Sequence, residues 1–194
     1  MATAAEFFIT GDPEADALLA REPLALLIGM LLDQQVPMEW AFASPAKLAV
    51  RLGGTLDAAE IAGMEPEALE AAFKQKPALH RYPASMARRT QELCRHLVEV
   101  YDGTAERVWT GPGDGAEVLA RLRALPGFGD EKARIFLAVV AKRRGVRPEG
   151  WEKAAAPFSD DQRRSVADIE SPETLEAVRA FKKAKKAAGK TKGD

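Results

Sequence analysis

The chain has 194 residues, of which 46% are hydrophobic and 29% are charged, a composition typical of a globular protein with one core or two small lobes. Its single cysteine, Cys94, excludes a disulfide framework and any zinc or iron–sulfur site that would need four cysteines of this chain. We expect a cytoplasmic protein, because the N-terminus lacks a signal-peptide pattern and no stretch approaches the ~18 apolar residues of a membrane span.

The net charge of −1 combines an acidic body with a basic end. Residues 182–194 carry six lysines and one aspartate, and this low-complexity segment is expected to be a disordered tail. Without it the chain has 22 basic and 28 acidic residues, a balance that disfavours nucleic acid as a partner. Clusters such as Arg88-Arg89 and Lys142-Arg143-Arg144 leave that partner open, because binding depends on local patches.

Apolar residues recur with helical spacing along nearly the whole chain, which predicts an all-α fold with one domain over residues 1–181. The segment Pro23–Leu32 is apolar on all sides and predicts a buried helix that ends before Pro37. Ser44 and Pro45 are the residue types of an N-cap and a first helical position, and they predict the start of another helix. Further helices are predicted at residues 57–63, 66–73, 85–101, 116–125 and 130–144, and after Ser171.

The segment Leu125-Pro126-Gly127-Phe128-Gly129 joins two of these helices and forms a predicted hairpin over residues 116–144. Its glycines allow a phosphate to come close to the backbone, and the following helix offers the positive end of its dipole. Asp130 and Glu131 would repel that phosphate, whereas Lys132 and Arg134 would compensate. The alternative is a glycine-rich turn without a ligand.

Three segments together resemble the helix–hairpin–helix (HhH-GPD) DNA glycosylase superfamily, and the second of them its 3-methyladenine DNA glycosylase II branch. They are the hairpin turn followed by Lys132-Ala133, the segment Leu31-Leu32-Asp33-Gln34-Gln35-Val36, and Ser85-Met86-Ala87-Arg88-Arg89. The resemblance implies two interleaved helical lobes with a cleft between them, and a base-excision repair enzyme without an iron–sulfur cluster.

The resemblance also implies roles for individual residues. Such a protein contacts double-stranded DNA without reading sequence, and it hydrolyses the N-glycosidic bond of a damaged base, here a modified purine, that is flipped out of the stack. Gln34 and Gln35 would contact DNA, and Gln35 would help to fill the gap left by the flipped nucleotide. The backbone of the hairpin turn and its flanks would contact DNA, and a monovalent cation could bind there as the one cofactor. The residues predicted to make these DNA contacts are Leu125, Gly127, Phe128, Gly129, Lys132 and Arg134.

Two positions depart from the superfamily pattern. Glu131 stands where the bifunctional members have a nucleophilic lysine, and Lys132 is one residue later, about 100° around the helix. We therefore expect a monofunctional glycosylase without lyase activity. The family's catalytic aspartate is replaced as well: the corresponding carboxylate is Glu149, with Asp160 and Asp161 as alternatives.

The remaining expectations concern the base pocket and the partners. Trp40 and Trp151 are candidates for stacking on the flipped base. His80 and His96 lack acidic or cysteine neighbours at ligand spacing, so no metal site is expected. The chain is expected to be a monomer that acts on nucleoid DNA if it is bacterial, with no membrane partner. Two alternatives stay open: a catalytically inactive DNA-binding protein of the same fold, and a helical protein-interaction scaffold.

Overall fold

The computed structural model describes residues 6–191 and 193, and within them the fold is all-α, as predicted. The described residues form eleven α-helices and one 3₁₀ helix, Val166–Asp168, without a β-strand. The α-helices are α1 (Pro13–Arg21), α2 (Pro23–Leu32), α3 (Met38–Arg51), α4 (Ala58–Gly63), α5 (Pro66–Lys74), α6 (Pro83–Tyr101), α7 (Arg107–Thr110), α8 (Gly115–Arg123), α9 (Asp130–Arg143), α10 (Trp151–Ala155) and α11 (Pro172–Ala187). None of them is long and apolar enough to cross a membrane.

Helix α2 lies at the centre of the hydrophobic core, as its apolar composition predicts. Every residue from Leu24 to Leu32 is buried. The missing side chain of Gly29 lets helix α3 approach, because a Cβ at this position would lie 2.6 Å from Cδ1 of Phe42. Helix α2 packs against α1, α3 and α6, and its buried side chains belong to one continuous hydrophobic cluster that also includes residues of α8, α9 and α10.

The predicted helical hairpin is confirmed: it begins and ends one residue earlier than expected, and its first helix ends two residues earlier. Helix α8 begins with a capping box, in which the Asp114 side chain accepts from the Glu117 N–H and the Glu117 side chain accepts from the Asp114 N–H. Helix α9 starts directly after the turn, with Gly129 as its N-cap. Its residues from Ile135 to Ala141 are all buried.

The helix start predicted at Ser44 and Pro45 is wrong. Helix α3 begins at Met38, after Pro37, and it continues through Pro45. The Ser44 hydroxyl lies 2.8 Å from the Trp40 carbonyl oxygen, one turn earlier in the same helix, and 2.7 Å from the Leu79 carbonyl oxygen before α6. It therefore does not cap a helix that starts at Pro45. The pair is buried, and tertiary packing outweighs the helix-breaking tendency of the proline.

The segment between α10 and α11 has no clear sequence period and is organised by a buried ion pair. The Nζ of Lys142 lies 2.6 Å from the Asp168 carboxylate, whose other oxygen accepts the N–H groups of Arg164 and Ser165. A buried carboxylate that caps its own turn and pairs with a partly buried lysine stabilises an otherwise irregular chain. No spacing rule links Lys142 to Asp168, and the sequence did not predict this pair.

The lysine-rich segment is helical in its first part, where a disordered tail was predicted. Helix α11 extends through Ala187 and therefore includes Lys182, Lys183, Lys185 and Lys186. Phe181 on this helix is covered by the guanidinium group of Arg164 and the ammonium group of Lys185. Lys192 and Asp194, which also belong to the predicted tail, lie outside the described residues.

Candidate functional site

The segment of residues 33–37, which we call the Gln35 loop, connects α2 to α3 and exposes one strained residue. Gln35 has a φ of +58°, in the left-handed region that residues other than glycine, asparagine and aspartate rarely adopt. Its side chain is exposed. Backbone strain of this kind persists only where the surrounding contacts enforce it, and it is frequent at functional sites.

His80 is the main contact that holds the Gln35 loop in place. Its Nε2 lies 3.2 Å from the Leu32 carbonyl oxygen and 3.0 Å from the Gln34 carbonyl oxygen. Its Nδ1 accepts the N–H of Tyr82 at 3.0 Å. This pattern fits a neutral ring with its proton on Nε2. Burial lowers the pKa of His80 from its ordinary value of 6.5, and the cations Lys132 and Arg89 lower it further.

The side chain of Gln34 points back into the protein and connects the Gln35 loop to helix α6. Its Nε2 donates to the Leu31 carbonyl oxygen at 2.8 Å, and its Oε1 accepts from Arg89 Nη1 at 3.1 Å. Lys132 on helix α9 donates to the same Leu31 oxygen at 3.0 Å. The last carbonyls of a helix lack partners within the helix and carry its negative dipole end, so a lysine stabilises them. Lys132 therefore joins the hairpin to the end of α2, next to the Gln35 loop.

The two glycines of the hairpin turn have different functions. Gly127 has a φ of +82°, and a Cβ there would lie 2.3 Å from Cδ1 of Leu31. Gly127 is thus required for the turn to pack against α2. Gly129 has a φ of −81°, and a Cβ there would meet nothing within 4 Å. The open space for a ligand is at Gly129.

The side chains of Leu125 and Phe128 are buried, so the DNA contact predicted for these two residues stays a prediction for their backbone alone. The two residues are 2% and 6% exposed, respectively. Phe128 packs edge-on against Phe136, with 5.9 Å between the ring centroids. Because a turn between two packed helices must cover the core beneath it, its apolar side chains point inward, and only the backbone of these two residues is left for a ligand.

The negative charge of Asp130 is neutralised within the hairpin. Its carboxylate accepts from Arg134 Nε at 2.8 Å and from the guanidinium group of Arg123. These hydrogen bonds, that from Arg134 first, hold the pKa of Asp130 below its ordinary value of 3.8. Arg134 also donates to the carbonyl oxygens of Ala154 and Ala156. Arg134, predicted to contact DNA, therefore serves mainly to connect α9 to α10 and to offset Asp130.

A cavity of about 360 Å³ lies directly beside Gln35, between the Gln35 loop and helix α11. Helix α11 is held there by the ion pair between Arg179 and Glu39 and by Lys182, whose Nζ lies 3.2 Å from Met38 Sδ. The cavity is lined by Asp33, Gln34, Gln35, Val36, Pro37, Met38, Glu39, Arg179 and Lys182. A second cavity, of about 810 Å³, is mainly apolar and lies away from the hairpin turn, between residues 6–21 and the start of α11.

The carboxylates predicted to be catalytic do not line the cavity beside Gln35. The backbone oxygen of Glu149 accepts from Gly115 N at 2.7 Å, which places it at the opposite end of α8 from the turn, and its side chain is exposed. At ~1.5 Å per residue, α8 is about 13 Å long. Asp160 accepts from Arg164 Nε at 2.9 Å, and Asp161 is exposed.

The two tryptophans predicted to form a base pocket lie in different parts of the fold. Trp40 donates from Nε1 to the Ala78 carbonyl oxygen at 3.2 Å, on the His80 side of α3. Trp151 is 8% exposed, and its backbone lies against Gly115, where a Cβ would come within 2.6 Å. Neither lines the cavity beside Gln35.

Among the described residues, no group of three or more histidine, cysteine, aspartate or glutamate side chains could hold a metal ion. The monovalent cation predicted at the hairpin would need backbone oxygens of the turn. Those of Leu125 and Gly129 each accept one N–H, from Phe128 and Ala133 respectively, and each retains a second lone pair. The cation stays a prediction.

Comparison with known proteins finds similarity at the level of structure. No protein-family model and no curated protein matches the chain. The chain is similar to endonuclease III in a non-covalent complex with DNA, with a TM-score of 0.47, 20% identity and coverage of 84% of this chain and 72% of that chain. The chain is also similar to a thermostable thymine-DNA glycosylase, with a TM-score of 0.42, 15% identity and coverage of 72% of this chain and 74% of that chain. It is similar as well to the H. pylori 3-methyladenine DNA glycosylase MagIII bound to 1,N6-ethenoadenine, with a TM-score of 0.49, 15% identity and coverage of 89% of this chain and 94% of that chain.

At these identities and TM-scores, the likeness assigns neither a family nor an activity to this chain.

The hairpin glycines should respond differently to the same substitution. Gly127→Ala should lower the free energy of unfolding by about 1–3 kcal/mol, because the new methyl group overlaps Leu31. Gly129→Ala should lower the free energy of unfolding by less than about 1 kcal/mol, since it replaces a glycine N-cap at a position with open space for the methyl group. Urea unfolding of both variants measures the two values. Equal losses would show that Gly127 is not under packing constraint.

His80 should make the stability of the protein depend on pH. The pKa of the His80 ring in the folded protein lies below 6.5. The stabilising contribution of His80 to the free energy of unfolding is therefore complete above pH 6.5, and it is lost as the pH falls through the folded-state pKa. The difference in unfolding free energy between wild type and His80→Gln should therefore be largest near neutral pH and shrink in acid. Urea unfolding across this range tests it, with His96→Gln as the control. A difference that is constant with pH contradicts the prediction.

Proposed function

We propose that this protein binds double-stranded DNA through its phosphate backbone and excises a damaged purine by hydrolysis of the N-glycosidic bond. One observation carries the DNA part of the proposal. Cationic side chains from three separate helices reach the neighbourhood of the exposed, strained Gln35. Arg89 of α6 bonds to Gln34, Lys132 of α9 bonds to the Leu31 carbonyl oxygen, and Lys182 of α11 lines the cavity beside Gln35 together with Arg179, which pairs with Glu39 and Glu176. Positive charge that converges on an exposed polar loop suits a polyanion.

The hairpin turn supplies the position for one phosphate group. Gly129 borders open space, so a phosphate can approach the backbone at the start of α9, a helix of 14 residues. The positive end of the helix dipole favours an anion at this point. The acid that would oppose it, Asp130, is paired with two arginines. Contacts of this kind position a protein on DNA without reading its sequence.

Gln35 has the features needed to occupy the gap left by a flipped nucleotide. Its amide can both donate and accept hydrogen bonds, so it can pair with the edge of an unpartnered base. It is exposed, and the contacts of His80 and Gln34 hold its loop in one conformation. A preformed loop loses little conformational entropy on binding DNA.

The cavity beside Gln35 supports an activity on the extruded nucleotide. Its volume of about 360 Å³ lies within the ~300–1,000 Å³ range of ligand pockets. It contains carboxylates, which glycoside hydrolysis requires near the anomeric carbon. The Nζ of Lys132 bonds to the Leu31 carbonyl oxygen instead of pointing into this cavity. This supports hydrolysis by water alone, without a Schiff base and without strand cleavage.

A second candidate function is DNA binding without catalysis. It is favoured by the position of Glu149, the carboxylate that the family pattern indicates, at the far end of α8 from the hairpin turn. Either function would be exercised by a monomer on chromosomal DNA in the cytoplasm.

Binding of an undamaged duplex should weaken steeply with salt. Arg89→Gln should reduce affinity and lower the slope of log K against log salt concentration by about 0.9, the value for one lost phosphate contact on B-DNA. Gly129→Ala should reduce affinity severalfold, because its methyl group meets the incoming phosphate. Fluorescence anisotropy with a labelled duplex measures both variants, and Lys47→Gln, an exposed position on α3, is the matched control. If the wild-type protein does not bind the duplex at low salt, the proposed DNA binding is wrong.

Excision should produce abasic sites without direct strand breaks. Duplexes that carry single hypoxanthine or ethenoadenine bases, together with DNA methylated by dimethyl sulfate, are incubated with the protein and analysed with and without hot alkali. We expect cleavage only after alkali, and no covalent adduct on borohydride treatment, because Lys132 is engaged with Leu31. Binding without excision of any substrate would favour the second candidate function.

A further inference from the structure

Asp33 is the first residue of the Gln35 loop and lines the cavity beside Gln35. It is half-buried at the carboxyl end of α2, two residues before Gln35. Its backbone N–H bonds to the Gly29 and Met30 carbonyl oxygens, which fixes the start of the side chain. Among the described residues, the other carboxylate in the cavity lining is Glu39, and Arg179 neutralises it.

The position of Asp33 is electrostatically unfavourable for a structural residue. The carboxyl end of a helix carries negative partial charge, so a carboxylate at this end destabilises the helix. Within the described residues, no donor or cation is bonded to the Asp33 side chain. A charged group held in a cavity at a cost to stability, and without a structural partner, is typical of a functional site.

The opposite side of the cavity completes a site for a nucleotide. Lys182 of α11 is part of the same lining as Asp33 and could contact a phosphate beside an extruded sugar. Arg179, also in this lining, pairs with Glu39 and Glu176 and leaves Nη2 as its remaining donor group toward a second phosphate. Lys182 is also close to Met38, which makes this part of the lining apolar enough for a base. We propose that this cavity takes the extruded deoxynucleotide and that Asp33, not Glu149, is the catalytic carboxylate. This assignment rests on the proposed function.

The reaction at Asp33 is a simple hydrolysis. The bond between C1′ and the base nitrogen breaks, and its electron pair leaves with the base. The Asp33 carboxylate stabilises the positive charge that develops on the sugar. A water oxygen then forms the new bond to C1′, and one water proton passes to Asp33 and from there to solvent. The departing base takes up one proton from solvent.

The assignment can be tested by binding, whether or not an excised lesion is known. Two duplexes are compared: one contains a cationic pyrrolidine abasic-site analogue, and the other contains the neutral tetrahydrofuran analogue. The wild type should bind the pyrrolidine duplex about a hundredfold or more tightly than the tetrahydrofuran duplex, because the cation mimics the transition state. Asp33→Asn should lose most of this preference and retain its affinity for the neutral duplex, whereas Glu149→Gln should behave as wild type.

Each outcome decides one point. A wild type that binds both duplexes equally, or an Asp33→Asn variant that keeps the preference, overturns the assignment while the proposed DNA binding stands. A wild type that binds neither duplex overturns the proposed function itself. Where a lesion is excised, single-turnover rates should fall about 100-fold or more for Asp33→Asn and stay unchanged for Glu149→Gln. Thermal unfolding of Asp33→Asn should occur at a temperature equal to or slightly above that of the wild type, because the substitution breaks no side-chain bond within the described residues and removes a negative charge from the carboxyl end of α2.

Discussion

The contact between the end of helix α2 and the hairpin turn determines the arrangement of the whole site. Leu31 packs where a side chain on Gly127 would stand, and its carbonyl oxygen accepts hydrogen bonds from Gln34 and Lys132. One residue of a fully buried helix thus fixes both the turn and the adjoining loop. Because α2 is surrounded by the core, neither element can move without disturbing close-packed side chains.

This junction explains how a chain of net negative charge can gather cationic side chains around one loop. The interlocking of α2 and α9 brings Lys132 to the Gln35 loop, and helix α11 adds Arg179 and Lys182 from the other side. Within the hairpin, Asp130 is neutralised by its arginine partners. Net charge sums over the entire surface, whereas a phosphate group responds to charges within about one Debye length, ~10 Å at 0.1 M salt.

The proposed site has a binding part and a chemical part that depend on different residues. In the proposal, Gly129 and Arg89 contact the DNA backbone and Gln35 fills the gap left by the flipped nucleotide, and an inactive relative would retain these contacts. The chemical part needs a carboxylate in the cavity, and this requirement separates Asp33 from Glu149. The distinction matters because the position of a carboxylate relative to the reacting carbon decides catalysis, and an error of about 1 Å is costly.

The sequence by itself determined the local features: the buried helix α2, the helical hairpin, and the Gln34-Gln35 segment that ends α2. Helical period and turn chemistry depend on neighbours along the chain, so they can be read without coordinates. Only the tertiary structure decided that Lys132 points to Leu31, 101 residues away, and that α11 closes a cavity over Asp33. Contacts between distant segments depend on how side chains pack, and a single sequence does not encode that in any local pattern.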